Sequence, residues 1–301
     1  MIESTLKLKD NFELYYTIFD SSNPEGLVLL VHGAKEHRKR YYDFAKYLND
    51  NGFIVAISDN RGHGESVDDE YPLGFMPDYK LIVSDLIEFK NFLKSKYNVP
   101  FYLFGHSLGS MFARMLIAEC DSDFEKLVLS GTANYIQAGV IGIFTGNILK
   151  VFKGSHGYSK LLERFANFLD DSWVVGNKDA LEKYRLDKYC TYKYPIASMI
   201  EIFKINHDMH NIKNYKFQNK NLEILSVSGA LDPVTGFEKG LNDSKKTLEK
   251  IGYKEPKFIV YDNMYHEVLN ETDNKKVYKD ILDFLSEWQK LYFFLEIEFC
   301  L

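Results

Sequence analysis

Cysteine is scarce in this sequence, long hydrophobic runs are absent, and positive charge is not in excess. The 301 residues include three cysteines, an odd number at wide spacing, so neither a disulfide framework nor a cysteine-based metal site is indicated. No apolar run reaches the roughly 18 residues of a membrane-spanning helix. The N-terminal segment is polar and lacks the apolar stretch of a signal peptide. These absences predict a soluble cytoplasmic protein.

The charge balance argues against nucleic acid as a partner. The formal net charge is −6 and the isoelectric point is about 5.8, whereas a polyanionic partner requires a basic face. Aromatic residues, by contrast, are abundant: they make up 15% of the chain, with 21 tyrosines and 23 phenylalanines. That exceeds the need of a hydrophobic core, which suggests that some of them line an apolar pocket.

Strand and helix patterns alternate along the first part of the chain. An apolar–polar alternation around Asp10-Asn11 predicts an edge β-hairpin. Continuous apolar runs predict strands covered on both faces at residues 27–31, 53–58, 101–104 and 126–130. Apolar residues spaced by three to four predict helices over residues 41–48, 78–92 and 108–118. This order predicts an α/β fold, with a mostly parallel central sheet flanked by helices on both faces.

The alternation is interrupted once. Residues 131–220 contain apolar, aromatic and glycine-containing stretches without strand–helix alternation, and we interpret them as a cap inserted into a core of residues 1–130 and 221–290. The core pattern resumes with strands and helices over residues 223–227, 238–251, 257–261 and 274–288. The apolar segment 291–301 packs on the body, joins a partner chain or is an artefact, and the sequence favours none of these.

One short segment matches the G-x-S-x-G pattern of a nucleophile elbow, Gly105-His106-Ser107-Leu108-Gly109. A chain of this length carries the pattern by chance roughly once in ten cases, but here a predicted strand leads into it and a predicted helix follows. The tight turn strains the serine backbone, so its close neighbours must be glycines. We therefore predict Ser107 as a nucleophile; the alternative is an inert serine in a glycine-flanked turn.

A serine nucleophile requires a base, and the base requires a carboxylate. In folds with such an elbow the chain order is serine, acid, histidine. Of the eight histidines only His266 follows the last predicted strand, and the alternative is a solvated surface histidine. Asp232 is the first carboxylate after the strand that follows the cap, with an ordinary Asp-Pro turn as the alternative. We predict His266 as the base and Asp232 as its acid, with Asp262 as the second choice of acid.

Two backbone N–H groups are predicted to form an oxyanion hole. Leu108 begins the helix after the elbow, so its N–H can donate to the site. The second donor is expected in the loop after the first apolar strand, where Gly33 gives the backbone freedom to aim the Ala34 N–H. His32 is predicted as a buried structural residue. Residues 35–37 are assigned no catalytic role, since such side chains can be merely solvated.

These residues make the chain resemble the monoacylglycerol lipase and lysophospholipase-like group of α/β-hydrolases. The matching segments follow the family's order and spacing along nearly the whole chain: HGAKEHRKRY at 32–41, DNRGHGES at 59–66, FGHSLGS at 104–110, SGALDPV at 228–234 and MYHEVLNE at 264–271. The GHSLG and RGHGES segments occur in many α/β-hydrolases, whereas HGAxEH and YHEVLNE point more narrowly to this group.

The resemblance implies an α/β-hydrolase fold with an inserted, mainly helical cap. It implies the same site residues, namely a triad of Ser107, Asp232 and His266 with Ala34 and Leu108 as the oxyanion hole.

The chain departs from the family at Lys35, where glycine is common. A backbone donor survives this change if the local φ is negative. The segment 59–66 is interpreted as structural, with Arg61 and His63 holding a tight glycine-containing loop.

Substrate choice is expected to lie in the cap, because the sheet supplies only the catalytic end. Residues 136–152 are mostly apolar with interspersed glycines. They predict a cap helix whose apolar face meets lipid or a membrane surface, or packs on the body; both can hold. The aromatic residues predicted to line an acyl tunnel are Tyr135, Phe144, Phe152, Trp173 and Tyr194.

The predicted reaction is hydrolysis of a carboxylic ester through an acyl-enzyme, on a monoacylglycerol or a similar single-chain lipid ester. A lysophospholipase and a general short-chain carboxylesterase are the alternatives. An amidase or aminopeptidase is disfavoured because the chain has HGAKE where proline iminopeptidases usually have HGGPG. A ligand-binding pseudo-hydrolase is disfavoured by the intact triad. No metal or organic cofactor is needed, and the expected partners are a small lipid ester and, through the cap, a membrane surface.

Overall fold

A computed structural model describes residues 1–166 and 170–299 of the chain, and the side chains of residues 1–166 and 170–286. Its strands are β1 (Ile2–Lys7), β2 (Glu13–Phe19), β3 (Gly26–Val31), β4 (Phe53–Ser58), β5 (Phe101–His106), β6 (Lys126–Ser130), β7 (Glu223–Gly229) and β8 (Lys257–Tyr261). They form one eight-stranded sheet in the order β1-β2-β4-β3-β5-β6-β7-β8.

The sheet is mostly parallel. Strands β1 and β2 form the antiparallel hairpin predicted around Asp10-Asn11, and β2 also pairs antiparallel with β4. All pairs from β4 through β3, β5, β6 and β7 to β8 are parallel. Every residue of β3, β4, β5 and β6 is buried, which explains why their sequences are continuous apolar runs rather than alternating ones. The predicted α/β fold is confirmed.

Helices cover both faces of the sheet. They are α1 (Tyr42–Asp50), α2 (Tyr79–Lys96), α3 (Leu108–Cys120), α4 (Gly139–Lys153), α5 (Lys160–Phe165), α6 (Lys178–Leu186), α7 (Ile196–His210), α8 (Phe237–Ile251) and α9 (Asn274–Phe299). One hydrophobic cluster joins the sheet to α2, α3 and α7, and a second joins its other face to α1 and α9. The carboxyl ends of the parallel strands, at the edge of these layers, are where such sheets carry their sites.

Helices α4 to α7 follow β6 and precede β7, in the segment predicted as a cap. Helix α4 packs against α7 through glycines: a Cβ at Gly142 would lie 2.7 Å from the Phe203 ring, and one at Gly146 would lie 2.5 Å from Ile200. Ile143 and Leu149 of α4 also pack on the core. The other large apolar side chains of the helix are exposed, namely Val140, Ile141, Phe144, Ile148, Val151 and Phe152. The helix thus packs on the body through its glycine face and leaves an apolar face open.

The C-terminal helix is longer than its pattern predicts, since α9 extends to Phe299. The role of the apolar segment 291–301 falls outside the described side chains, as do residues 300–301 entirely. Within the described part of the chain, no helix combines the length and the apolar character required to cross a membrane.

Candidate active site

Ser107 lies at a sharp turn between β5 and α3. Its backbone has φ 54° and ψ −121°, a conformation that costs about 1–3 kcal/mol for a residue with a side chain. The Ser107 N–H donates to the Ser130 carbonyl at 2.9 Å, which ties the turn to β6. A Cβ at Gly105 would lie 2.4 Å from the Gly109 carbonyl oxygen, and one at Gly109 would lie 2.2 Å from the Val31 oxygen. The elbow therefore depends on backbone contacts that leave no space for side chains.

Asp232 and His266 follow β7 and β8 and meet at the carboxyl edge of the sheet. His266 Nδ1 lies 2.8 Å from Asp232 Oδ2, and the carboxylate is completely buried. The other carboxylate oxygen, Oδ1, accepts the Val234 N–H at 2.8 Å, which fixes the orientation of the acid. Because a carboxylate only accepts, Nδ1 carries the proton and Nε2 is the basic nitrogen. The second choice of acid, Asp262, is exposed and does not take this place.

The imidazole of His266 is enclosed and basic. Trp173 contacts it edge-on at 5.2 Å and His106 lies at 4.7 Å, measured between ring centroids. Burial lowers the pKa of His266, but the attraction and hydrogen bond of Asp232 outweigh it and raise the pKa above its ordinary value. Its Nε2 is buried without a hydrogen-bond partner among the described residues. His266 lines the same cavity as Ser107, an arrangement suited to removing the hydroxyl proton.

A glycine beside this ring was not singled out from the sequence. Gly131 has φ 53° and follows β6 directly. A Cβ at this position would lie 2.8 Å from both Cε1 and Nδ1 of His266. A side chain at position 131 would therefore collide with the imidazole. This need for glycine is set by His266, which lies far along the chain.

The loop after β3 approaches the nucleophile closely. A Cβ at Gly33 would lie 3.0 Å from the Ser107 Cβ. Ala34 and Leu108, the two predicted oxyanion donors, both line the larger of two cavities that meet at Ser107. The structure thus brings all five predicted catalytic and oxyanion residues to one end of the sheet.

Lys35 does not meet the condition of a negative φ, because its φ is 53°. Glycine suits this conformation, whereas a lysine there is strained by about 1–2 kcal/mol. The Lys35 N–H donates to the Tyr194 hydroxyl at 3.2 Å. The departure from the family therefore concerns the backbone next to Ala34, and not only the pocket mouth.

A buried charged cluster lies behind the loop, among residues to which the sequence assigned no catalytic role. Glu36 is only 3% exposed and accepts the Gly33 N–H at 2.8 Å and the Tyr41 hydroxyl at 2.6 Å. Arg40 pairs with both Glu36 and Glu267. Burial raises the pKa of Glu267, and the attraction of Arg40 offsets this in part. The sequence signal for the cluster is that its residues lie in the segments HGAKEHRKRY and MYHEVLNE.

The two cavities at Ser107 differ in character. The larger has a volume of about 1030 Å³. Its lining combines the apolar side chains of Leu108, Met111, Ile202 and Val234 with charged and polar residues of α8, among them Glu238, Lys239, Asp243 and Lys246. The smaller has a volume of about 310 Å³. Its lining is mainly polar and charged, with Lys35, Glu36, Asp170, Asp171, Thr191 and Glu267 among its residues. The nucleophile therefore faces a large cavity of mixed lining and a small, mainly polar one.

The predicted tunnel residues divide into two groups. Tyr135 and Trp173 line the larger cavity. Phe144 and Phe152 are 68% and 81% exposed on the outer face of α4, because the helix turns its glycines inward. Tyr194 is buried beneath the oxyanion loop and lines neither cavity. The tunnel assignment of these last three residues is corrected accordingly.

One group within the described residues has the donor atoms for a metal ion. His37, Asp187 and Cys190 place theirs within 4.8 Å of one another. His37 is 7% exposed, and its Nε2 lies 2.7 Å from the Asp187 carboxylate. Burial raises the pKa of the Cys190 thiol, and the Arg40 guanidinium lies 3.9 Å from its sulfur. A neutral thiol beside a fixed cation suits a polar contact between the loop after β3 and the segment predicted as a cap better than a metal centre.

Several known proteins resemble this chain. A family model, Hydrolase_4, described as serine aminopeptidase, S33, matches residues 22–273. A monoacylglycerol lipase of Mycolicibacterium smegmatis is 24% identical over 272 residues, which cover 88% of this chain and 89% of that protein. A carboxyl esterase structure from Bacillus coagulans has a TM-score of 0.85 at 22% identity, covering 95% of this chain and 98% of that one. A monoacylglycerol lipase structure from Paleococcus ferrophilus has a TM-score of 0.71 at 21% identity, covering 91% and 99%. At these identities the structural likeness concerns the fold alone.

Proposed function

Since the chain belongs to the Hydrolase_4 family of α/β-hydrolases, we propose that it hydrolyses carboxylic esters, above all single-chain lipid esters such as monoacylglycerols, with Ser107 as nucleophile. The observation that carries this proposal is the imidazole of His266. Its Nδ1 is bonded to the buried Asp232, and its buried Nε2 has no described partner in a site shared with the strained Ser107. The naming of its relatives as monoacylglycerol lipases agrees with an ester substrate.

In the proposed reaction Ser107 Oγ attacks the ester carbonyl carbon while His266 Nε2 takes the hydroxyl proton. The N–H groups of Ala34 and Leu108 donate to the oxyanion that forms. The carbon–oxygen bond to the alcohol then breaks, and His266 returns the proton to the departing alcohol oxygen. Water attacks the acyl-enzyme by the same route and releases the acid. Asp232 holds the imidazole in one tautomer and stabilises its cationic form.

The two cavities suit the two halves of a single-chain lipid ester. At about 1030 Å³, the larger cavity is at the upper end of the range for ligand pockets, roughly 300–1,000 Å³, so it can hold a long acyl chain. The smaller cavity presents charged and polar groups, which a hydroxylated alcohol can hydrogen-bond and a hydrocarbon chain would leave without partners. We therefore assign the acyl group to the larger cavity and the alcohol to the smaller one.

A substrate panel tests this proposal. We expect kcat/KM to be highest on medium- and long-chain monoacylglycerols and to exceed that on p-nitrophenyl acetate at least about tenfold, because each buried methylene contributes about 0.8 kcal/mol. Lysophosphatidylcholine distinguishes the lysophospholipase alternative, and an aminoacyl p-nitroanilide distinguishes an aminopeptidase. A highest rate on the anilide would reject the ester proposal, and so would the absence of turnover on every ester.

The proposal includes contact of the cap with an anionic membrane surface. The outer face of α4 exposes large apolar residues, among them Phe144 and Phe152. No aspartate or glutamate occurs between Lys126 and Leu162, whereas exposed lysines lie at 150, 153 and 160. An apolar face with cationic neighbours is typical of helices that lie on anionic lipid, although the whole chain is acidic.

We expect the double substitution Phe144→Ser and Phe152→Ser to weaken binding to phosphatidylserine-containing vesicles at least about tenfold, since a buried phenylalanine contributes about 1.5–3 kcal/mol. Vesicle sedimentation measures this. The rate on a soluble short ester should not change. Val260→Ser, which removes an exposed apolar side chain from β8, is the matched control. Equal binding of both variants and the wild type would contradict the membrane contact.

A further inference from the structure

Side chains of the core hold two peptide groups next to Ala34. The Gly33 N–H donates to Glu36 Oε2 at 2.8 Å, and the Gly33 carbonyl lies 2.8 Å from His32 Nδ1. His32 Nε2 accepts the Asn60 N–H, so the proton of this neutral ring is on Nδ1 and is donated to Gly33. The Gly33 carbonyl shares a trans peptide with the Ala34 N–H, and the two point in opposite directions. Holding the carbonyl therefore orients the Ala34 N–H.

The next peptide group is held by the cap. The Lys35 N–H donates to the hydroxyl of Tyr194, a buried residue that precedes α7 and lies 159 positions away. Lys35 has φ 53°, a conformation that persists only where the surroundings enforce it. The bond from Tyr194 is thus made at the strained residue that adjoins Ala34.

The hydroxyl of Tyr194 has a defined direction. His63 Nδ1 lies 3.0 Å from the Arg61 carbonyl, which only accepts, so the proton is on Nδ1 and Nε2 is an acceptor. Burial lowers the pKa of His63 to about 3, so the ring is neutral. Tyr194 therefore donates its proton to His63 Nε2 at 2.7 Å and uses its lone pairs to accept from the Lys35 N–H and from Tyr192, whose hydroxyl lies 3.2 Å away.

A second contact joins the same loop to the cap. His37 Nε2 lies 2.7 Å from the Asp187 carboxylate, after the end of α6. Each contact includes a buried side chain, Tyr194 in the first and His37 in the second. Both contacts reach the loop within three residues of Ala34. The loop that carries one oxyanion donor is therefore bonded to the cap as well as to the core.

We propose that Tyr194 is a positioning residue that couples the cap to the oxyanion hole. Its hydroxyl holds the peptide on the far side of Ala34 from the one that His32 holds, so that the Ala34 N–H is fixed from both sides only while the cap is docked. The inference rests on the proposed function, because it assigns a partner to the oxyanion donor used there. It gives the cap a part in the chemical step besides its part in substrate choice.

Tyr194→Phe tests the inference, with Tyr192→Phe as the matched control. Both remove one phenolic hydroxyl from the same hydrogen-bonded chain, but only Tyr194 bonds to the loop. We expect Tyr194→Phe to speed amide hydrogen exchange in the peptide covering residues 32–38 and to lower kcat about tenfold, part of the roughly 10²–10³-fold that loss of a whole oxyanion donor costs. KM should stay unchanged, since Tyr194 lines neither cavity. A boronic acid, which forms a tetrahedral adduct on serine, should bind about tenfold more weakly, while a fatty-acid product keeps its affinity.

The two readouts separate the failure of this inference from that of the proposed function. Unchanged exchange in Tyr194→Phe, or equal changes in Tyr192→Phe, would overturn the coupling whether or not the wild type hydrolyses esters. Faster exchange with an unaltered kcat would overturn the positioning role. Faster exchange in a chain whose wild type turns over no ester would leave the coupling standing and remove the proposed function.

Discussion

Ser107→Ala is expected to lower kcat for ester hydrolysis by about 10⁶-fold, the scale on which serine hydrolases lose rate when their nucleophile is removed. Alanine cannot form the acyl-enzyme, and the oxyanion donors alone do not replace it. The alanine must adopt the same positive φ as the serine, so the strain remains and the free energy of unfolding should change little. Steady-state kinetics at high enzyme concentration and thermal unfolding measure the two quantities.

Ser110→Ala is the control for this substitution. Ser110 lies one turn further along α3, is buried, and donates its hydroxyl to the Ser107 carbonyl at 2.6 Å. Its loss removes one hydrogen bond, worth about 0.5–1.5 kcal/mol, and should leave kcat within about tenfold of the wild type. A fluorophosphonate probe should label the wild type and Ser110→Ala but not Ser107→Ala. Labelling that survives in Ser107→Ala would show that another residue is the nucleophile.

The core of the fold was predictable because its strands are covered on both faces. Strands β4 and β6 begin and end at the residues that their apolar runs indicate, and turn residues separate them from the next elements. Helix α4 shows the limit of this reasoning. Its pattern indicates an apolar helix, but the face that packs is set by Gly142 and Gly146, which fit against Phe203 and Ile200 of α7. Close packing through glycine cannot be inferred from hydrophobicity.

The candidate site divides in the same way. Ser107, Asp232 and His266 were predictable because each follows a strand of a parallel sheet, and the order of the strands brings their ends together. The residues that position these side chains were not predictable, since their partners are distant along the chain. Tyr194 and Lys35 are 159 positions apart, and Gly131 is matched to a ring at the other end of the core. Only the folded chain brings these partners together.

Asp232→Asn is expected to lower kcat by about 10⁴-fold, because it leaves the imidazole of His266 in the wrong tautomer. In this chain the Val234 N–H donates to Asp232 Oδ1, so it will hold the oxygen of an asparagine there. The amide nitrogen must then face His266 Nδ1. Two N–H groups cannot form a hydrogen bond with each other, so the proton of His266 moves from Nδ1 to Nε2. That is the atom that has to accept the Ser107 proton. Kinetics on a monoacylglycerol and on a short ester measure the loss.

The pH dependence of the same variant tests why the rate falls. In the wild type the Asp232 carboxylate raises the pKa of His266 against the effect of burial. The base must be neutral, so kcat/KM should decrease as the pH falls through this raised pKa. In Asp232→Asn the carboxylate is gone and burial remains, so the pKa of His266 should be lower than in the wild type. The residual kcat/KM should therefore decrease only at a lower pH. Asp262→Asn, which alters the exposed second choice of acid, should keep both the rate and the profile of the wild type. A profile that shifts in Asp262→Asn and not in Asp232→Asn would reverse the assignment of the acid, because the carboxylate bonded to Nδ1 raises the pKa of His266 more than any other group does.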